Sequence, residues 1–376
     1  MGYGASRLEG LVMFDGVYSG TRVFVTGDTG FKGSWLCLWL QHLGAEVCGY
    51  ALEPETDPAH AALLPLSYKT EIGDIRNAEQ LRRAIADFQP EVVFHMAAQP
   101  LVRRSYAAPL ETIHTNVLGT ANLFEACRHV DSVRSIVNIT SDKCYENREW
   151  VWGYRENDPM GGYDPYSASK GCAELVTASW RNAFFPLHHY GDTHQTLIAS
   201  ARAGNVIGGG DWSQDRLIPD MVRAIEADKP VVIRNPQATR PWQHVLEPLS
   251  GYLFLGQKLL QGHTDYAEAW NFGPADEGSI TVGEVVRQFK ANWDAFTYEL
   301  YKDAHQQPHE AGLLKLDCSK ARAKLNWQPV WDASQALEKT AAWYRALYTQ
   351  NTIQSEENLN AYVQDARRSG LDWARG

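Results

Sequence analysis

The hydrophobic pattern opens with a short β-branched and aromatic run, Thr21–Thr26, which predicts a strand. A glycine-rich turn follows at once, and the apolar stretch Ser34–Leu43 predicts a helix. A second apolar run, Gly44–Tyr50, predicts the next strand. A strand, a helix and a strand in this order indicate a βαβ unit with parallel strands.

The same alternation of strands and helices continues along the chain. Further strands are predicted up to Gly73, at 91–98 and 133–140, and from Leu197 and Val231 onward, and further helices at 81–88, 112–129, 165–183 and 217–227. Regular alternation predicts an α/β fold with a doubly wound parallel sheet. In such sheets ligands bind beyond the carboxyl ends of the strands, so functional residues are expected there.

The charge balance argues against nucleic acid and membrane surfaces as partners. The 376-residue chain carries a net charge of −10, and its 44% hydrophobic and 21% charged residues are usual for a globular protein. No apolar run reaches the length of a transmembrane helix, and no signal peptide is recognised. The six cysteines form no Cys-x-x-Cys pair, which favours free thiols in a reducing cytoplasm. His188, His189 and His194 lack the supporting ligands of a zinc site, so no metal is expected.

The glycine turn has the spacing of a dinucleotide-binding motif. Gly27, Gly30 and Gly33 follow a strand and open a helix, where backbone N–H groups can approach a pyrophosphate. The acidic residue that often holds the adenosine ribose would fall near Ala51, with Glu53 slightly late, and no arginine stands there. These features favour NAD over NADP without deciding between them.

A phenol and an amine lie four residues apart, at Tyr166 and Lys170. The residues after Pro165 predict a helix, so both side chains share one helix face. Since a nearby cation favours phenolate, Lys170 is expected to lower the pKa of Tyr166. Such a phenol could take the proton of a sugar hydroxyl. The motif is short, however, and an exposed Tyr and Lys on an amphipathic helix would have the same spacing.

Three polar residues follow the strand predicted at 133–140. Ser141, Asp142 and Lys143 come directly after it, at the sheet edge where ligands bind. A plain ion pair between Asp142 and Lys143 is the structural alternative to a catalytic role.

Small residues, Ala97 and Ala98, end the strand predicted at 91–98. Small side chains are needed where backbone lies against a flat cofactor, so this strand end is expected to face the cofactor. His95 could take part in catalysis, but a core histidine with satisfied hydrogen bonds is the favoured interpretation.

Four arginines stand out in the later part of an otherwise acidic chain. Arg202, Arg216, Arg234 and Arg240 could clamp a pyrophosphate through bidentate contacts if the fold brings them together. At least one or two of them are expected to be ordinary surface arginines.

Five longer strings make these motifs specific. They are Gly-Asp-Thr-Gly-Phe-Lys-Gly-Ser-Trp (27–35), His-Met-Ala-Ala-Gln-Pro-Leu-Val-Arg-Arg-Ser-Tyr (95–106), Thr-Ser-Asp-Lys-Cys-Tyr-Glu-Asn-Arg-Glu-Trp (140–150), Ala-Arg-Ala-Gly-Asn-Val-Ile-Gly-Gly-Gly-Asp-Trp (201–212) and Arg-Pro-Trp-Gln-His-Val-Leu-Glu-Pro-Leu (240–249). With Tyr166 and Lys170, they make nearly the whole chain from about residue 18 similar to the extended short-chain dehydrogenase/reductase family of nucleotide-sugar enzymes. Within that family they resemble the enzymes that dehydrate CDP-glucose, and the choice of cytosine rests on this resemblance alone.

The resemblance implies a dehydration with NAD as the cofactor. Tyr166 would take the proton of the sugar 4-hydroxyl while a hydride moves from C4 to NAD, and Ser141 would hydrogen-bond the same oxygen. Water would then leave across C5 and C6, and the hydride would return to C6. Lys143 is assigned as the base at C5, which requires a neutral amine, and Asp142 as the acid at the C6 hydroxyl. The reverse assignment, or a lysine that only orients the substrate, stays open, because dTDP-glucose dehydratases carry Asp-Glu where this chain has Asp-Lys.

The resemblance also implies binding residues. NAD would be held by Gly27, Thr29, Gly30, Phe31, Lys32, Gly33, Asp74, Ile75, Ala97, Ala98, Gln99, Asn116, Tyr166 and Lys170, with Asp74 at the adenine. The nucleotide sugar would be held by Arg103, Ser105, Asn205, Arg216, Leu217, Arg234, Arg240 and His309, with Glu310 beside His309.

Domain organisation and assembly follow from the same resemblance. An N-terminal extension (1–17, with Met13 as a candidate start) would precede a Rossmann-type NAD-binding domain (18–186 and 235–262) and a smaller C-terminal nucleotide-sugar-binding lobe (187–234 and 263–376). The helices at 112–129 and 165–183 would build a four-helix interface of a homodimer, and a tetramer stays open. The expected setting is the cytoplasm, in deoxysugar biosynthesis for the lipopolysaccharide O-antigen.

Three rival functions remain. A dehydratase for a UDP or dTDP sugar would use the same mechanism. A 4-epimerase or 4-reductase would need Tyr166, Ser141 and Lys170 but not the Asp142–Lys143 pair. An inactive NAD-binding regulator would be expected to have lost at least one of these five residues.

Overall fold

The computed structural model describes residues 12–233, 235–275, 279–300 and 313–375. In chain order its strands are β1 Arg22–Thr26, β2 Glu46–Ala51, β3 Lys69–Ile72, β4 Val92–His95, β5 Ser135–Ile139, β6 Leu197–Ala203, β7 Val206–Ile207, β8 Val231–Ile233, β9 Thr239–Pro241, β10 Gln243–His244, β11 Ala269–Phe272, β12 Ser279–Thr281 and β13 Tyr298–Leu300. Its α-helices are α1 Phe31–His42, α2 His60–Leu63, α3 Ala78–Phe88, α4 Val102–Ala107, α5 Pro109–Ile113, α6 Gly119–Cys127, α7 Pro165–Ala183, α8 Leu217–Glu226, α9 Leu246–Leu260, α10 Val282–Asn292, α11 Ser319–Leu325, α12 Ala333–Gln350 and α13 Ser355–Arg368.

Seven of these strands form one parallel sheet in the spatial order β11-β6-β5-β4-β1-β2-β3. The order runs outward in both directions from β1 and β4, so the switch point lies between their carboxyl ends. Ligands bind at such a point in open α/β sheets. The predicted doubly wound parallel sheet is therefore confirmed.

Helices cover both faces of the sheet because successive strand residues point to opposite sides. Val23 and Val25 of β1 pack with α1 and α9, in a cluster that includes Trp39. Phe24, between them, packs on the other face with residues of α3 and α6. Within the described ranges, no helix combines the length and apolarity needed to traverse a lipid bilayer.

Two strands of this sheet, β6 and β11, lie in ranges that the sequence analysis assigned to the second lobe. That assignment is wrong for these segments, because both strands extend the sheet beyond β5 by parallel pairing, a long-range contact that local pattern does not encode. A separate hydrophobic cluster joins α8, α10 and α12 and includes Met221, Phe289 and Trp343. The division into two lobes stays a prediction.

The segment just before the first strand also belongs to the core. Met13 and Phe14 are fully buried, and the Phe14 ring stacks on Trp373 with centroids 5.3 Å apart. The predicted extension over residues 1–17 is therefore too long at its C-terminal end, since residues 13–17 pack against the domain. Residues 1–11 lie outside the described part of the chain.

The helix predicted at 112–129 is interrupted. α5 ends at Ile113, a π-helical segment covers His114–Leu118, and α6 begins at Gly119. The extra residue of a π segment shifts the helix face without breaking the apolar pattern, so the pattern does not reveal it. By contrast, the helix predicted at 165–183 has those bounds in α7.

A buried ion pair fixes α7 to the sheet. Glu174 of α7 accepts hydrogen bonds from Arg202 Nη2 at 2.8 Å and Ser200 Oγ at 2.6 Å, both on β6, and from the hydroxyl of Thr140 just after β5. Arg202 also donates to the Tyr145 hydroxyl at 2.7 Å. Only 4% of each charged side chain is exposed. One carboxylate thus ties α7 to two strand ends.

The pair keeps its charges despite burial. Burial alone would raise the pKa of Glu174, but Arg202 and the hydrogen bonds lower it below the ordinary value. Because the folded-state pKa is lowered, the stability that this carboxylate contributes is present above its unfolded pKa. That contribution is lost as the pH falls through the folded-state value.

Replacing Arg202→Met should strongly destabilise the protein, because it leaves the Glu174 carboxylate buried without its counter-ion. We expect a loss of about 3–5 kcal/mol in the free energy of unfolding, measured by urea denaturation at neutral pH. Arg82→Met, which removes an exposed partner of Glu79, is the control and should change stability by less than about 0.5 kcal/mol. Equal effects of the two substitutions would show that the buried pair does not anchor α7.

Candidate active site

The glycine turn after β1 fits the pyrophosphate of a dinucleotide. Gly27 has a φ of +75°, and a Cβ there would lie 2.8 Å from Ala97 N. A Cβ at Gly33 would lie 2.0 Å from Gly27 O, so α1 can approach the turn only without a side chain. No side chain caps α1 at Gly30, which leaves its first N–H groups available to an anion.

The end of β2 provides no acidic side chain for an adenosine ribose. The strand ends at Ala51, and Thr29 Oγ1 donates to Leu52 O at 2.9 Å. Asp74, the expected adenine contact, is already held by Arg76, whose hydrogen bonds lower its pKa. Any contact from Asp74 to adenine would therefore be shared with the Arg76 guanidinium.

The π segment places Asn116 between two parts of the site. Its Oδ1 accepts from Gln99 N at 2.8 Å, and its Nδ2 donates to Ser169 Oγ at 2.8 Å. The strand end with Ala97 and Ala98 is thereby linked to α7. Ile75 packs against this helix at Gly119, where a Cβ would come within 2.5 Å of Ile75 Cδ1. These residues form a continuous wall next to the glycine turn.

His95, two residues before Ala97, is a core histidine as expected. Its ring nitrogens hydrogen-bond Thr26 Oγ1 at 2.7 Å and Thr120 Oγ1 at 3.1 Å. Burial, with the nearby charge of Lys170, lowers its pKa to about 3, so the ring is neutral.

Tyr166, Lys170 and Ser141 meet at the carboxyl end of β5. Asp164 caps α7 by accepting from Ser167 N at 2.9 Å, which fixes the helix start beside Tyr166. Lys170 Nζ donates to Ile139 O at 3.4 Å, and a hydrogen bond joins Tyr166 to Ser141. The side chains predicted from the helix spacing are therefore brought together with the strand end.

The prediction that Lys170 lowers the pKa of Tyr166 is wrong for the protein chain without a cofactor. Burial raises the pKa of Tyr166 to about 12, against the hydrogen bond from Ser141 and the charge of Arg216. Lys170 instead points to Ile139 O, and burial lowers its own pKa to about 8, opposed by Glu174. A further positive charge is needed for Tyr166 to ionise near neutral pH.

Asp142 is a buried carboxyl surrounded by cations. It accepts a hydrogen bond from Ser141 Oγ at 2.9 Å. Burial raises the pKa of Asp142. The charge of Lys143 opposes this shift most strongly, followed by the hydrogen bond from Ser141 and then by the charges of Lys32 and Arg240. A carboxyl with a raised pKa in this setting can hold a proton and give it to an oxygen.

An open cleft lies beside this carboxyl. It is lined by Gly204, Pro241, Gly273, Pro274, Ala275, Lys315 and Leu316. A Cβ at Gly204 would come within 2.8 Å of Asp142 Oδ2. The cleft therefore reaches Gly204, whose backbone lies against the Asp142 carboxyl.

Several residues that were expected to bind the nucleotide sugar lie on the Asp142 side of the site. Arg216 precedes Leu217, the first residue of α8, and pairs with Asp211 at 2.9 Å. The charge of Arg216 acts on Tyr166, and that of Arg240 acts on Asp142. These two arginines thus flank the same site.

Two other expected contacts stand further out. Arg103 lies 3.6 Å from Asp215, and Asn205 is exposed after β6. Neither contact with a nucleotide sugar is tested by the structure.

Two expected nucleotide contacts are corrected. The guanidinium of Arg202 is buried in the ion pair with Glu174, so it cannot bind a pyrophosphate. Ser105 is fully buried and donates to Val102 O at 2.7 Å within its own helix turn, so a contact with substrate is not supported. Arg234 and His309, with Glu310, lie outside the described residues.

Within the described ranges, no group of three or more His, Cys, Asp or Glu side chains is arranged so that it could hold a metal ion. His188 and His189 lie in a short 3₁₀ turn, and His194 contacts Pro186 O at 3.1 Å. All six cysteines are free thiols, and Cys172 is exposed.

Sequence reasoning missed Glu174 as part of the site, whereas it named Lys32 among the residues expected to hold the cofactor. Glu174 could have been found, because Tyr166, Lys170 and Glu174 recur every four residues on one helix face. The position of the Lys32 amine, 6.0 Å from the centroid of the Tyr252 ring on α9, has no local signal. It depends on how α1 packs against α9.

Known proteins resemble this chain over most of its length. A CDP-glucose 4,6-dehydratase from Salmonella typhimurium is 55% identical over 332 residues, covering 88% of this chain and 92% of that protein. A dTDP-glucose 4,6-dehydratase from Streptomyces antibioticus is 26% identical over 342 residues, covering 86% of this chain and 92% of that protein.

Solved structures share the fold. A UDP-glucose 4-epimerase from Thermotoga maritima matches 87% of this chain and 100% of its own, with a TM-score of 0.74 and 20% identity. An epimerase from Methanothermobacter thermautotrophicus matches 90% of this chain and 96% of its own, with a TM-score of 0.74 and 24% identity.

A family model covers the part of the chain that contains the glycine turn and the Tyr166–Lys170 helix. The model described as GDP-mannose 4,6 dehydratase matches residues 24–340, which is most of the chain. The chain therefore belongs to the GDP-mannose 4,6-dehydratase family.

Proposed function

We propose that this protein converts CDP-D-glucose to CDP-4-dehydro-6-deoxy-D-glucose in the cytoplasm, with NAD as cofactor. The observation that carries the proposal is the buried Asp142, which follows Ser141 and precedes Lys143 at the end of β5. An epimerase needs no acid for a C6 hydroxyl, whereas a dehydratase does. The relative with 55% identity, a CDP-glucose 4,6-dehydratase, supports the choice of substrate.

Tyr166 and Ser141 act on the oxygen at C4. Ser141 holds the hydroxyl, and Tyr166 takes its proton. When bound, NAD would accept the hydride that leaves C4, return it to C6, and by its positive charge favour the Tyr166 phenolate. That charge would oppose the effect of burial, which raises the pKa of Tyr166 in the protein chain without the cofactor. The glycine turn, Asn116 and the strand end with Ala97 and Ala98 would hold the cofactor.

Asp142 and Lys143 carry the elimination. The 4-keto group acidifies the C5 hydrogen, which Lys143 removes as a proton while Asp142 gives a proton to the C6 oxygen. The raised pKa of Asp142 favours its role as the acid. Arg216 and Arg240, with Arg103 and Asn205 further out, would hold the nucleotide diphosphate.

The label test of this function uses CDP-glucose with deuterium at C4. We expect the product to lose one water and to carry the deuterium at C6, as read by mass spectrometry and NMR, because the hydride returns within the same molecule. Product that keeps its water and has the inverted configuration at C4 would identify an epimerase. Turnover of a UDP or dTDP sugar, with CDP-glucose inert, would keep the mechanism and overturn the substrate.

The assembly proposed with this function is a homodimer. Exposed leucines on the helix pair include Leu118 of the π segment and Leu175 of α7, which are 51% and 61% exposed. The π segment and α7 pack against each other, so these leucines belong to one helical layer. Apolar side chains on one layer favour a four-helix contact between two copies.

Replacing Leu175→Asp should therefore weaken the dimer, because a buried interface would have to desolvate the carboxylate. We expect light scattering after gel filtration to give the dimer mass for the unsubstituted protein and the monomer mass for the variant at micromolar concentration. Val232→Asp, on the exposed edge of β8, is the matched control and should stay dimeric. A monomeric unsubstituted protein would contradict the proposed assembly.

A further inference from the structure

The residues that carry the proposed chemistry lie on a short segment that leaves the end of β5. Ser141 is followed by a 3₁₀ turn over Asp142–Cys144, and its hydroxyl accepts a hydrogen bond from Lys143 N at 3.2 Å. The mechanism above draws on this segment but gives no role to the two residues that flank it. These residues are Thr140 and Tyr145, and both side chains are buried.

The two flanking side chains contact the same buried ion pair. The Thr140 hydroxyl donates to Glu174 Oε1, and Arg202 Nη1 donates to the Tyr145 hydroxyl at 2.7 Å. Glu174 and Arg202 are joined to each other at 2.8 Å, and only 4% of each side chain is exposed. The segment is therefore held at its beginning by the carboxylate and at its end by the guanidinium of one ion pair.

Tyr145 has a second anchor on the sheet. Its hydroxyl donates to Asn271 Oδ1 at 2.8 Å, and Asn271 is a buried residue of β11. Burial raises the pKa of Tyr145 although the charge of Arg202 opposes this shift, so the hydroxyl keeps its proton and can donate. One oxygen thus ties the end of the segment to both β6 and β11.

The backbone fixes the two ends of the segment differently. Thr140 N donates to Ala201 O at 2.9 Å, so the beginning of the segment is attached to β6 independently of the hydroxyl. The backbone of Tyr145 instead forms an isolated antiparallel bridge with Met160, which belongs to a loop. The end of the segment therefore reaches the sheet through the Tyr145 side chain.

We infer that Tyr145 is a positioning residue for the elimination step, because its hydroxyl holds the turn that carries Asp142 and Lys143. The inference rests on the proposed function. Lys143 lies two residues before Tyr145, whereas Ser141 lies next to Thr140 at the other end of the segment. Loss of the Tyr145 hydroxyl should therefore disturb the proton transfers at C5 and C6 more than the chemistry at C4.

The step concerned is the loss of water across C5 and C6. The C5 proton goes to Lys143, and the C5–H electron pair forms the C5–C6 double bond. The C6–O bond breaks with its electron pair, and the oxygen takes the Asp142 proton and leaves as water. Because both side chains must reach the same sugar, a small displacement of the turn slows this step strongly.

The test is Tyr145→Phe in the full-length protein with NAD and CDP-glucose. Phenylalanine keeps the ring, which stacks on Tyr154 with centroids 5.2 Å apart, and removes only the oxygen. We expect release of water to slow by about 10–100-fold, while oxidation at C4 slows less than about twofold. Reduced nicotinamide should therefore accumulate during turnover, as followed by its absorbance.

The ratio of the two steps separates positioning from stability. A variant that only folded less well would lower oxidation and water release together, and reduced nicotinamide would stay at the level of the unsubstituted protein. If Tyr145→Phe does not fold, Asn271→Ser replaces it, because it removes another anchor of the same hydroxyl and should give the same accumulation. An unchanged ratio in the variant that is used would overturn the inference.

The beginning of the segment gives the opposite expectation. Thr140→Val removes the hydroxyl that donates to Glu174 beside Ser141, so oxidation at C4 should slow about tenfold and little reduced nicotinamide should accumulate. Thr140→Ser keeps a hydroxyl and should retain most of the rate. If Thr140→Val accumulated as much reduced nicotinamide as Tyr145→Phe, the assignment of Tyr145 to the elimination would be overturned.

The matched control is Tyr154→Phe, which removes the hydroxyl of the neighbouring ring. That hydroxyl accepts from Arg148 N at 2.6 Å and donates to Asn147 Oδ1 at 3.1 Å, both in the stretch that follows Tyr145. The ratio of the two steps should equal that of the unsubstituted protein. The same accumulation in Tyr154→Phe as in Tyr145→Phe would assign the effect to the aromatic stack and overturn the inference.

Failure of this inference is distinguishable from failure of the proposed function. If the unsubstituted protein dehydrates CDP-glucose and Tyr145→Phe does so at the same rate, the inference fails and the proposed function stands. Slower oxidation at C4 without accumulation in Tyr145→Phe would have the same meaning. No turnover of CDP-glucose by the unsubstituted protein would refute the proposed function, and the inference with it.

Discussion

The buried pair of Glu174 and Arg202 sets the geometry on which the candidate site depends. Glu174 is two helix turns beyond Tyr166 on α7, and its carboxylate reaches β6 and the residue before Ser141. The helix that carries the phenol and the strand end that carries the hydroxyl are thus held by one group. Since a buried charge tolerates the loss of its partner poorly, this arrangement favours one relative position of Tyr166 and Ser141.

A second constraint is the convergence of cations on one carboxyl. Lys32, Lys143 and Arg240 arrive from α1, from the end of β5 and from β9, and each opposes the effect of burial on Asp142. Burial alone would leave a weak acid with an unstable conjugate base. Cations alone would leave a carboxylate that holds no proton near neutral pH. The combination suits a group that must give a proton and then remain briefly as an anion.

Much of this arrangement could be predicted from the sequence because its signals are local. The glycine turn is defined by spacing between a strand and a helix, and α7 by Pro165 and a regular helix pattern, so both were found with their bounds close to those observed. The parts that sequence reasoning missed depend on packing between distant segments. β11 joins the sheet through β6, and the π segment turns Asn116 inward without disturbing the apolar pattern. The pKa of Tyr166 was mistaken for a related reason, because neighbouring charge was considered and burial was not.

The role of Asp142 as the acid for the C6 hydroxyl is the central claim, and the substitution Asp142→Asn tests it most directly. The amide keeps the size of the side chain but has no carboxyl proton to give. With CDP-glucose and NAD, the variant is predicted to oxidise C4 and to accumulate reduced nicotinamide, while release of water falls by about 10²–10⁴-fold. Asp131→Asn, at an exposed position, provides the control. Loss of water at the unsubstituted rate in Asp142→Asn would contradict the account.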